Sequence, residues 1–422
     1  MTLPHVIVVG GGFGGLAAIH ALRHAPVRIT LIDKRNHHLF QPLLYQVATA
    51  SLAPSDIAEP LRVILAKQPN VDVLLAEVTA VDTDRKVITA DGRELAYDHL
   101  IVATGARGSY FGHDAWAAHA PGLKTIGDAL AIRRKILMAF ERADLLNEPR
   151  ERAKQLTFVV IGGGPTGVEM AGAIREIALA SVPTDFRHIH PRDVRVILVE
   201  AGQDLLPPFP ADLRASARKQ LEGLGVEVRT GVPVRDIQAG VVVLGEERIE
   251  AATIVWAAGV RGSALGAALG APLDRSGRVI VEPDCSIPGH PEVRVIGDLA
   301  NYAHGREAPL PGVAPVAITM GQYVAQAILD DLAGKPHRKF RYLDKGSLAT
   351  VGYSLAVAAI GKVHLSGVVA WLIWVFVHLM TLVGHRNRVV VFVKWAWAWA
   401  VSDRSSRLLW QDEAERDGAS GS

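Results

Sequence analysis

Gly10-Gly-Gly-Phe-Gly-Gly15 and Gly162-Gly-Gly-Pro-Thr-Gly167 both fit the spacing G-x-G-x-x-G at an offset of 152 residues, and their surroundings decide the fold. The first follows His5-Val-Ile-Val-Val9, an apolar run that reads as a buried parallel strand, and it opens an Ala- and Leu-rich stretch, 16–25, of helical character. Arg28-Ile-Thr-Leu-Ile-Asp33 comes next, a second strand ending in an acid with Lys34 beside it. The second motif repeats this context with Thr157-Phe-Val-Val-Ile161, a helical run over 165–180, and Val194-Arg-Val-Ile-Leu-Val-Glu200. Ile101-Val-Ala-Thr-Gly105 and Ile254-Val-Trp-Ala-Ala-Gly259 recur at an offset of 153. Two unlike motifs at nearly one offset indicate a duplicated domain, the second copy lengthened by an insertion at 181–193.

The spacing has a physical reason. Gly10 and Gly162 permit a tight turn, and Gly12 and Gly164 let backbone N–H groups approach a pyrophosphate. Gly15 and Gly167 let helix and strand pack closely, while the helix N-terminus favours the negative charge. Asp33 and Glu200 are placed to accept hydrogen bonds from ribose hydroxyls. Phe13, Gly14, Pro165 and Thr166 inside the motifs, and Thr104, Gly105 and Gly259 at the repeated strand ends, join the candidate cofactor-binding set. Two dinucleotide sites with no further catalytic domain imply a flavin and a nicotinamide. FAD belongs in the first copy, because Val293-Arg-Val-Ile-Gly-Asp298 is a strand ending in an Asp able to bond ribityl hydroxyls. The second copy is then an insertion in the FAD domain. Glu200 pairs with a free 2′-hydroxyl and repels a 2′-phosphate, which favours NADH over NADPH.

Composition narrows the chemistry. The 422 residues are 49% hydrophobic and 21% charged, with a net charge of +2 and one cysteine. That excludes collagen-like, disordered and disulfide-stapled classes, and near-neutrality argues against a nucleic-acid partner. Cys285 alone cannot form a dithiol relay, so electrons are expected to leave directly from the flavin to a diffusible acceptor. His37-His38 and His188-Ile-His190 lack metal-ligand spacing, and no metal is expected. The first residues read as a strand rather than a targeting peptide, so the mature chain is expected to begin at or near Met1 and its bulk to face a reducing compartment.

The C-terminal stretch obeys other rules. Between Ile360 and Trp410 stand Lys362, Arg386, Arg388, Lys394, Arg404 and Arg407 against one acid, Asp403, together with six of the eight tryptophans. Leu365–Val383 is 19 residues without a formal charge, and on a helical projection its polar residues gather on one arc and its apolar residues on the other. This fits a helix lying in a membrane interface, its basic residues meeting anionic headgroups. A spanning helix, a buried helical pair and a dimer interface are the alternatives. Val389–Trp399 adds a second apolar, aromatic surface.

Taken together the residues resemble the type II (alternative, single-subunit) NADH dehydrogenases from about residue 5 to 410. The resemblance rests on both glycine motifs, Asn36-His-His-Leu-Phe-Gln-Pro-Leu-Leu-Tyr-Gln-Val47, Gly167-Val-Glu169, the Gly-Asp motif, Leu310-Pro-Gly-Val-Ala-Pro-Val-Ala317 and Gly367-x-x-Ala-Trp371-x-x-Trp374. It implies that Phe40, Gln41 and Tyr45 line the flavin and that Glu169, the catalytic candidate, lies where nicotinamide and quinone meet it. It also implies that Ala317 joins the cofactor-binding set and that Ala314–Gln322 lies over the flavin's quinone side, with Ala314, Pro315, Thr319 and Met320 as the quinone candidates. Related sequences usually carry glutamine where Thr319 stands, commonly followed by another at Met320. The expected fold is α/β, with two Rossmann-like dinucleotide-binding domains and a C-terminal amphipathic helical membrane-anchoring region. Its limits are 1–120 and 266–345 for a discontinuous FAD domain, 121–265 for the inserted NADH domain, and 346–422 for the tail. The implied protein holds one FAD, oxidises NADH, and passes two electrons to a membrane quinone of a respiratory chain without pumping protons. It would sit peripherally on the cytoplasmic face of the cell membrane, bound to an anionic lipid surface through the tail, with a homodimer left open. The rival readings are a membrane-tethered NADH-sensing or assembly flavoprotein and a soluble ferredoxin-type NAD(P)H reductase.

Overall fold

The computed structural model describes residues 3–401 and 407–409; Asp403, Arg404 and Trp410 of the tail lie outside the described residues. Contacts divide the chain into two compact units, each discontinuous. The first comprises Met1–Leu39, Ala58–Arg107 and Val260–Lys345; the second comprises Phe40–Ile57, Gly108–Gly259 and Gly346–Ser422.

Along the chain, strand β1 (His5–Val9) is buried at every position, as its β-branched residues require inside a parallel sheet. Helix α1 (Phe13–Ala21) is shorter than the composition suggests and leads to β2 (Arg28–Asp33). The short helix α2 (Leu44–Ala48) belongs to the second unit. Strands β3 (Val71–Leu75) and β4 (His99–Val102) follow, with a three-stranded antiparallel meander, Val78–Asp82, Val87–Ala90 and Arg93–Ala96, between them.

The second unit holds helix α3 (Ile126–Leu145), strand β5 (Thr157–Ile161), helix α4 (Pro165–Ala180) and strand β6 (Arg195–Glu200). Helix α5 (Ala211–Leu224), β7 (Val226–Thr230) and β8 (Thr253–Trp256) complete it, again with an antiparallel meander, here Val234–Gln238, Val241–Leu244 and Glu247–Glu250, ahead of the last strand. The sheet is wholly parallel in the order β7-β6-β5-β8. The chain then returns to the first unit with β9 (Ser286–Ile287), β10 (His290–Val295) and helix α6 (Ala314–Leu332). That unit's sheet runs β9-β10-β4-β1-β2-β3, parallel except for the β9–β10 pair. The core of each unit sits between its sheet and the flanking elements.

The last part is an antiparallel sheet, β11 (Ser347–Gly352), β12 (Leu355–Ile360) and β13 (Val363–Gly367), followed by helices α7 (Val368–Thr381) and α8 (His385–Val401). All of it belongs to the second unit. Segment 40–57 does as well, because Arg133 of α3 donates to the carbonyls of Val47 and Leu52 at 2.9 and 3.1 Å. One expectation is corrected. Leu365–Gly367 pair with Ala356–Ala358 as strand, so the uncharged stretch is not one 19-residue helix. Apolar strand and apolar helix are indistinguishable by hydropathy, and Gly367 at φ +74 makes the break between them.

Candidate functional site

The two glycine turns are built alike. Gly10 N donates to Ile32 O and Gly162 N to Val199 O, each at 2.8 Å, with φ of +108 and +118 that side chains rarely adopt. A Cβ on Gly15 would lie 1.9 Å from Gly10 O, and one on Gly167 would lie 1.7 Å from Gly162 O. Gly12 and Gly164, which cap α1 and α4, behave differently. Their φ values of −77 and −73 suit any residue, and a Cβ on either would meet no atom within 4 Å. A side chain there would fill only the open cradle in front of the first-turn amides, which have no helical acceptor of their own. Both openings therefore fit a diphosphate, the feature that a flavin dinucleotide and a nicotinamide dinucleotide share. Gly14 has another reason: its Cβ would press on Ile296 and on Ala317 O, where α1 packs against α6.

The acids repeat too. Asp33 accepts from Gly11 N at 2.7 Å and from Arg35 N at 2.8 Å; Glu200 accepts from Gly163 N at 2.6 Å and from Gly202 N at 2.7 Å. One bond falls on each oxygen, so each keeps a lone pair for a hydroxyl donor. The insertion at 181–193 thus does not disturb the geometry at Glu200.

In the first unit, Phe13 meets His38 edge-on at 5.0 Å, and Thr104 Oγ1 lies 2.6 Å from Ser263 Oγ. Gly105 takes φ +66, and Lys34 is exposed and paired with Glu77 at 3.0 Å. Asp298 sits in a 3-10 turn, Gly297–Leu299, just past β10, close enough to Gly312 that a Cβ there would lie 3.1 Å from its Cγ. Ala314, Pro315 and Thr319 are half-buried on α6, Ala317 is buried, and the Thr319 hydroxyl donates to Pro315 O at 2.8 Å. Met320 is 1% exposed within the core, so its side chain offers no surface to a substrate. The helical period turns it away from Thr319's side.

The second unit carries a cleft lined by Gln41, Pro42, Leu44, Tyr45, Leu123, Thr166 and Glu169. Pro165 and Thr166 form the first turn of α4, and Gly259 takes φ +69. Burial pushes the Glu169 carboxyl up to about 8, against the opposing pull of long bonds from Thr350, 3.4 Å from its N and 3.5 Å from its Oγ1. A carboxyl so tuned exchanges a proton near neutral pH. Tyr45 OH lies 3.0 Å from the same Thr350 Oγ1, and burial raises its pKa further, so the phenol stays protonated. Phe40 is buried and meets His378 edge-on at 6.2 Å. Burial holds His378 down at about 4, so the ring is neutral. Thr350 and His378 were absent from the sequence-derived set. Thr350 lies 181 residues from Glu169 in a strand without any motif, and nothing local marks it.

Helices α7 and α8 present an unusual surface. Val368, Leu372, Phe376 and Met380 recur every four residues on α7 and are all exposed, Phe376 by 65%. Val389, Val393 and Trp397 do the same on α8, Trp397 by 61%. The inward face carries Ala370, Trp374 and His378, the last bonded through Nδ1 to Trp374 O at 2.8 Å. That face packs on protein while the apolar stripe faces out, the reverse of a helix on a water-soluble surface. Among the described residues no helix is long and apolar enough to cross a membrane; the 14 residues of α7 span about 21 Å.

Two dinucleotide folds, one interrupting the other in the chain, define a two-nucleotide oxidoreductase, and the pyridine nucleotide-disulphide oxidoreductase family model matches residues 4–321. The type II NADH:quinone oxidoreductase Ndh of Mycobacterium tuberculosis is 46% identical over 97% of this chain and 90% of its own length. The type II NADH:quinone oxidoreductase of Staphylococcus saprophyticus is 30% identical over 82% of this chain and 87% of its own length. This chain belongs, within that broader class, to the type II NADH:quinone oxidoreductase family. Among solved structures, NDH2 from Plasmodium falciparum in complex with NADH aligns at a TM-score of 0.86 with 22% identity, covering 95% of this chain and 99% of the other. A sulfide:quinone oxidoreductase from Aquifex aeolicus aligns at 0.75 with 19% identity, over 91% and 92%. These two likenesses concern the fold.

Proposed function

We propose that this protein oxidises NADH and reduces a membrane quinone, in the balance NADH + H⁺ + quinone → NAD⁺ + quinol. The observation that carries the reading is the duplicated turn: two separate diphosphate cradles, each beside a ribose-accepting acid, in a chain 46% identical to a type II NADH:quinone oxidoreductase. FAD held in the first cradle would supply the redox chemistry, as a two-electron acceptor between nicotinamide and quinone.

The chain's own residues bind and orient. Gly10, Gly12 and Gly15 with Asp33 hold one dinucleotide, Asp298 bonds its polyol, and Thr104, Gly105 and Ala317 shape its surroundings. Gly162, Gly164 and Gly167 with Glu200 hold NADH. Glu200 keeps its two backbone bonds and still faces a 2′-hydroxyl with negative charge, which disfavours a 2′-phosphate. Phe40, Gln41 and Tyr45 remain assigned to the flavin's surroundings, and Ala314, Pro315 and Thr319 to the quinone's. Glu169 holds the exchangeable proton that the balance requires. Cys285 is buried, and burial raises its thiol pKa, which supports electron exit without a sulfur relay.

The outward apolar stripes of α7 and α8 rest on the membrane surface, where the quinone is dissolved, with Arg386 and Arg388 near anionic headgroups. The reading keeps the expectation that electron transfer proceeds without proton pumping. The test is optical. The purified holoprotein should show a flavin spectrum that bleaches with NADH under anaerobic conditions and recovers on adding quinone. Bleaching without recovery by any quinone would instead support an NADH-sensing role.

A further inference from the structure

The Glu169 carboxyl is the inner end of a longer chain of bonds, all within the second unit. Trp395 of α8 donates its indole Nε1–H to Gln46 Oε1 at 2.8 Å, and Gln46 Nε2 donates to Tyr45 OH at 3.0 Å. Tyr45 OH lies 3.0 Å from Thr350 Oγ1, and Thr350 reaches Glu169 Oε1 from Oγ1 at 3.5 Å and from its backbone N at 3.4 Å. An indole N–H can only donate, which sets the outer bonds, and the single hydroxyl hydrogen that Thr350 gives to Glu169 sets the inner ones. Gln46 must present its oxygen to Trp395 and its amide hydrogens to Tyr45. Tyr45 then gives its own proton to Thr350, whose hydroxyl hydrogen is left for Glu169. All donors point one way, and each bond polarises the next.

We propose that Trp395, Gln46, Tyr45 and Thr350 are positioning residues that fix Glu169 Oε1 as a permanent acceptor and leave Oε2 to carry the exchangeable proton, so that helix α8 of the membrane-facing foot tunes the proton affinity of the site. This rests on the reading of Glu169 as the ionisable group of the reaction. The outer end is firmly seated: Lys394 is bonded to the buried Asp56 at 2.6 Å, Tyr353 OH donates to Trp395 O at 2.7 Å, and the Trp395 ring packs on Trp374 at 5.2 Å. The inner link is the longest, which makes it the one that conformational change can tighten or release.

Few charges compete for control of Glu169. Of the elements packed on α4, β11 brings no ionisable side chain and α2 brings only Tyr45. Glu176, on α4 itself, is bonded to Tyr353 N. On β6, α5 and β7 most charges are engaged elsewhere, Arg195 and Arg229 with Glu227, Arg218 with Glu222, Arg214 with Asp204, Asp212 with His364, and Glu200 with backbone amides, while Lys219 is exposed. Asp185, in the short turn of helix after α4, is paired with Arg407.

The experiment is an infrared pH titration of the full-length holoprotein, following the protonated-carboxyl C=O band that Glu169→Gln abolishes. Thr350→Val removes a donor to the charged form, so the midpoint should rise by about one pH unit, roughly a tenfold gain in proton affinity. Trp395→Phe should raise it by about 0.2–0.3 units, the share that cooperativity along a chain supplies. Thr350→Ser should restore the original midpoint. Should Thr350→Val not fold, Tyr45→Phe breaks the chain one link further out and should give an intermediate rise. A titrating band whose midpoint ignores these substitutions overturns the proposal. If Glu169→Gln removes no titrating band at all, it is the reading of Glu169 itself that fails.

Discussion

Replacing Gly164 and Gly167 by alanine, one at a time, separates binding from folding within a single turn. At Gly164 the backbone, φ −73 and ψ 179, suits alanine, and the added methyl meets no atom within 4 Å. Lost chain entropy in the unfolded state stabilises by about 0.4–1 kcal/mol, and a poorer helix cap costs about as much, so the two nearly cancel. The methyl does occupy the cradle. Displacing a diphosphate from charge-assisted amide bonds removes about 1.5–3 kcal/mol, equivalent to a rise in the NADH KM of roughly 10- to 150-fold. At Gly167 the methyl would lie 1.7 Å from Gly162 O, where contacts of this kind settle near ~3.3 Å, so helix and turn must part by about 1.5 Å. Overpacking of that size costs about 3 kcal/mol or more. Thermal melting followed by circular dichroism, with steady-state NADH kinetics on the same samples, reads both effects. Gly164→Ala should melt like the parent and bind NADH poorly; Gly167→Ala should melt several degrees lower. A parental KM in Gly164→Ala would refute the cradle, and equal destabilisation by both substitutions would refute the division of labour.

Other consequences can be checked independently. Glu200→Ala should raise the NADH KM about tenfold while relaxing discrimination against NADPH, and, with the Gly163 and Gly202 amides unpaired, cost about 1–3 kcal/mol in a denaturant melt; unchanged cofactor preference would remove its assigned role. Because the folded Glu169 pKa, about 8, exceeds its ordinary 4.5, the native state binds the extra proton between those values, and stability should fall as pH rises from 4.5 to 8 and then level off. Glu169→Gln, which mimics the neutral acid, should flatten that slope by a few kcal/mol over the window, and identical slopes in denaturant melts at pH 5 and pH 8 would contradict the assignment. Phe376→Glu combined with Trp397→Glu should abolish flotation with anionic liposomes while leaving the melting temperature unchanged, since both side chains are exposed; retained flotation would place the lipid contact elsewhere.

The glycine turns were legible because their requirements are local. A positive φ at residue 10 or 162 and a missing Cβ at 15 or 167 are properties of single residues within a few positions of one another, so spacing alone reports them. The repeat of strand, turn, helix and acid added redundancy, and the two copies agree down to the paired backbone bonds of Asp33 and Glu200. The tail was legible in part: which residues are apolar could be read, but not that 365–367 pair as strand before the helix begins. Met320 shows the same limit, since a substrate-side motif in one dimension put together two neighbours that the helix turns apart.

The sequence by itself determined the two dinucleotide folds, their order, the acids that close the two glycine turns and the apolar character of the foot, because hydropathy and backbone freedom are properties of the residues themselves. Only the tertiary structure decided what surrounds Glu169. Its proton affinity depends on burial and on a threonine 181 residues away, and through that threonine on a tyrosine, a glutamine and a tryptophan brought in by separate elements. A carboxyl's charge is set by its solvent and its donors, and neither is written next to it in the chain.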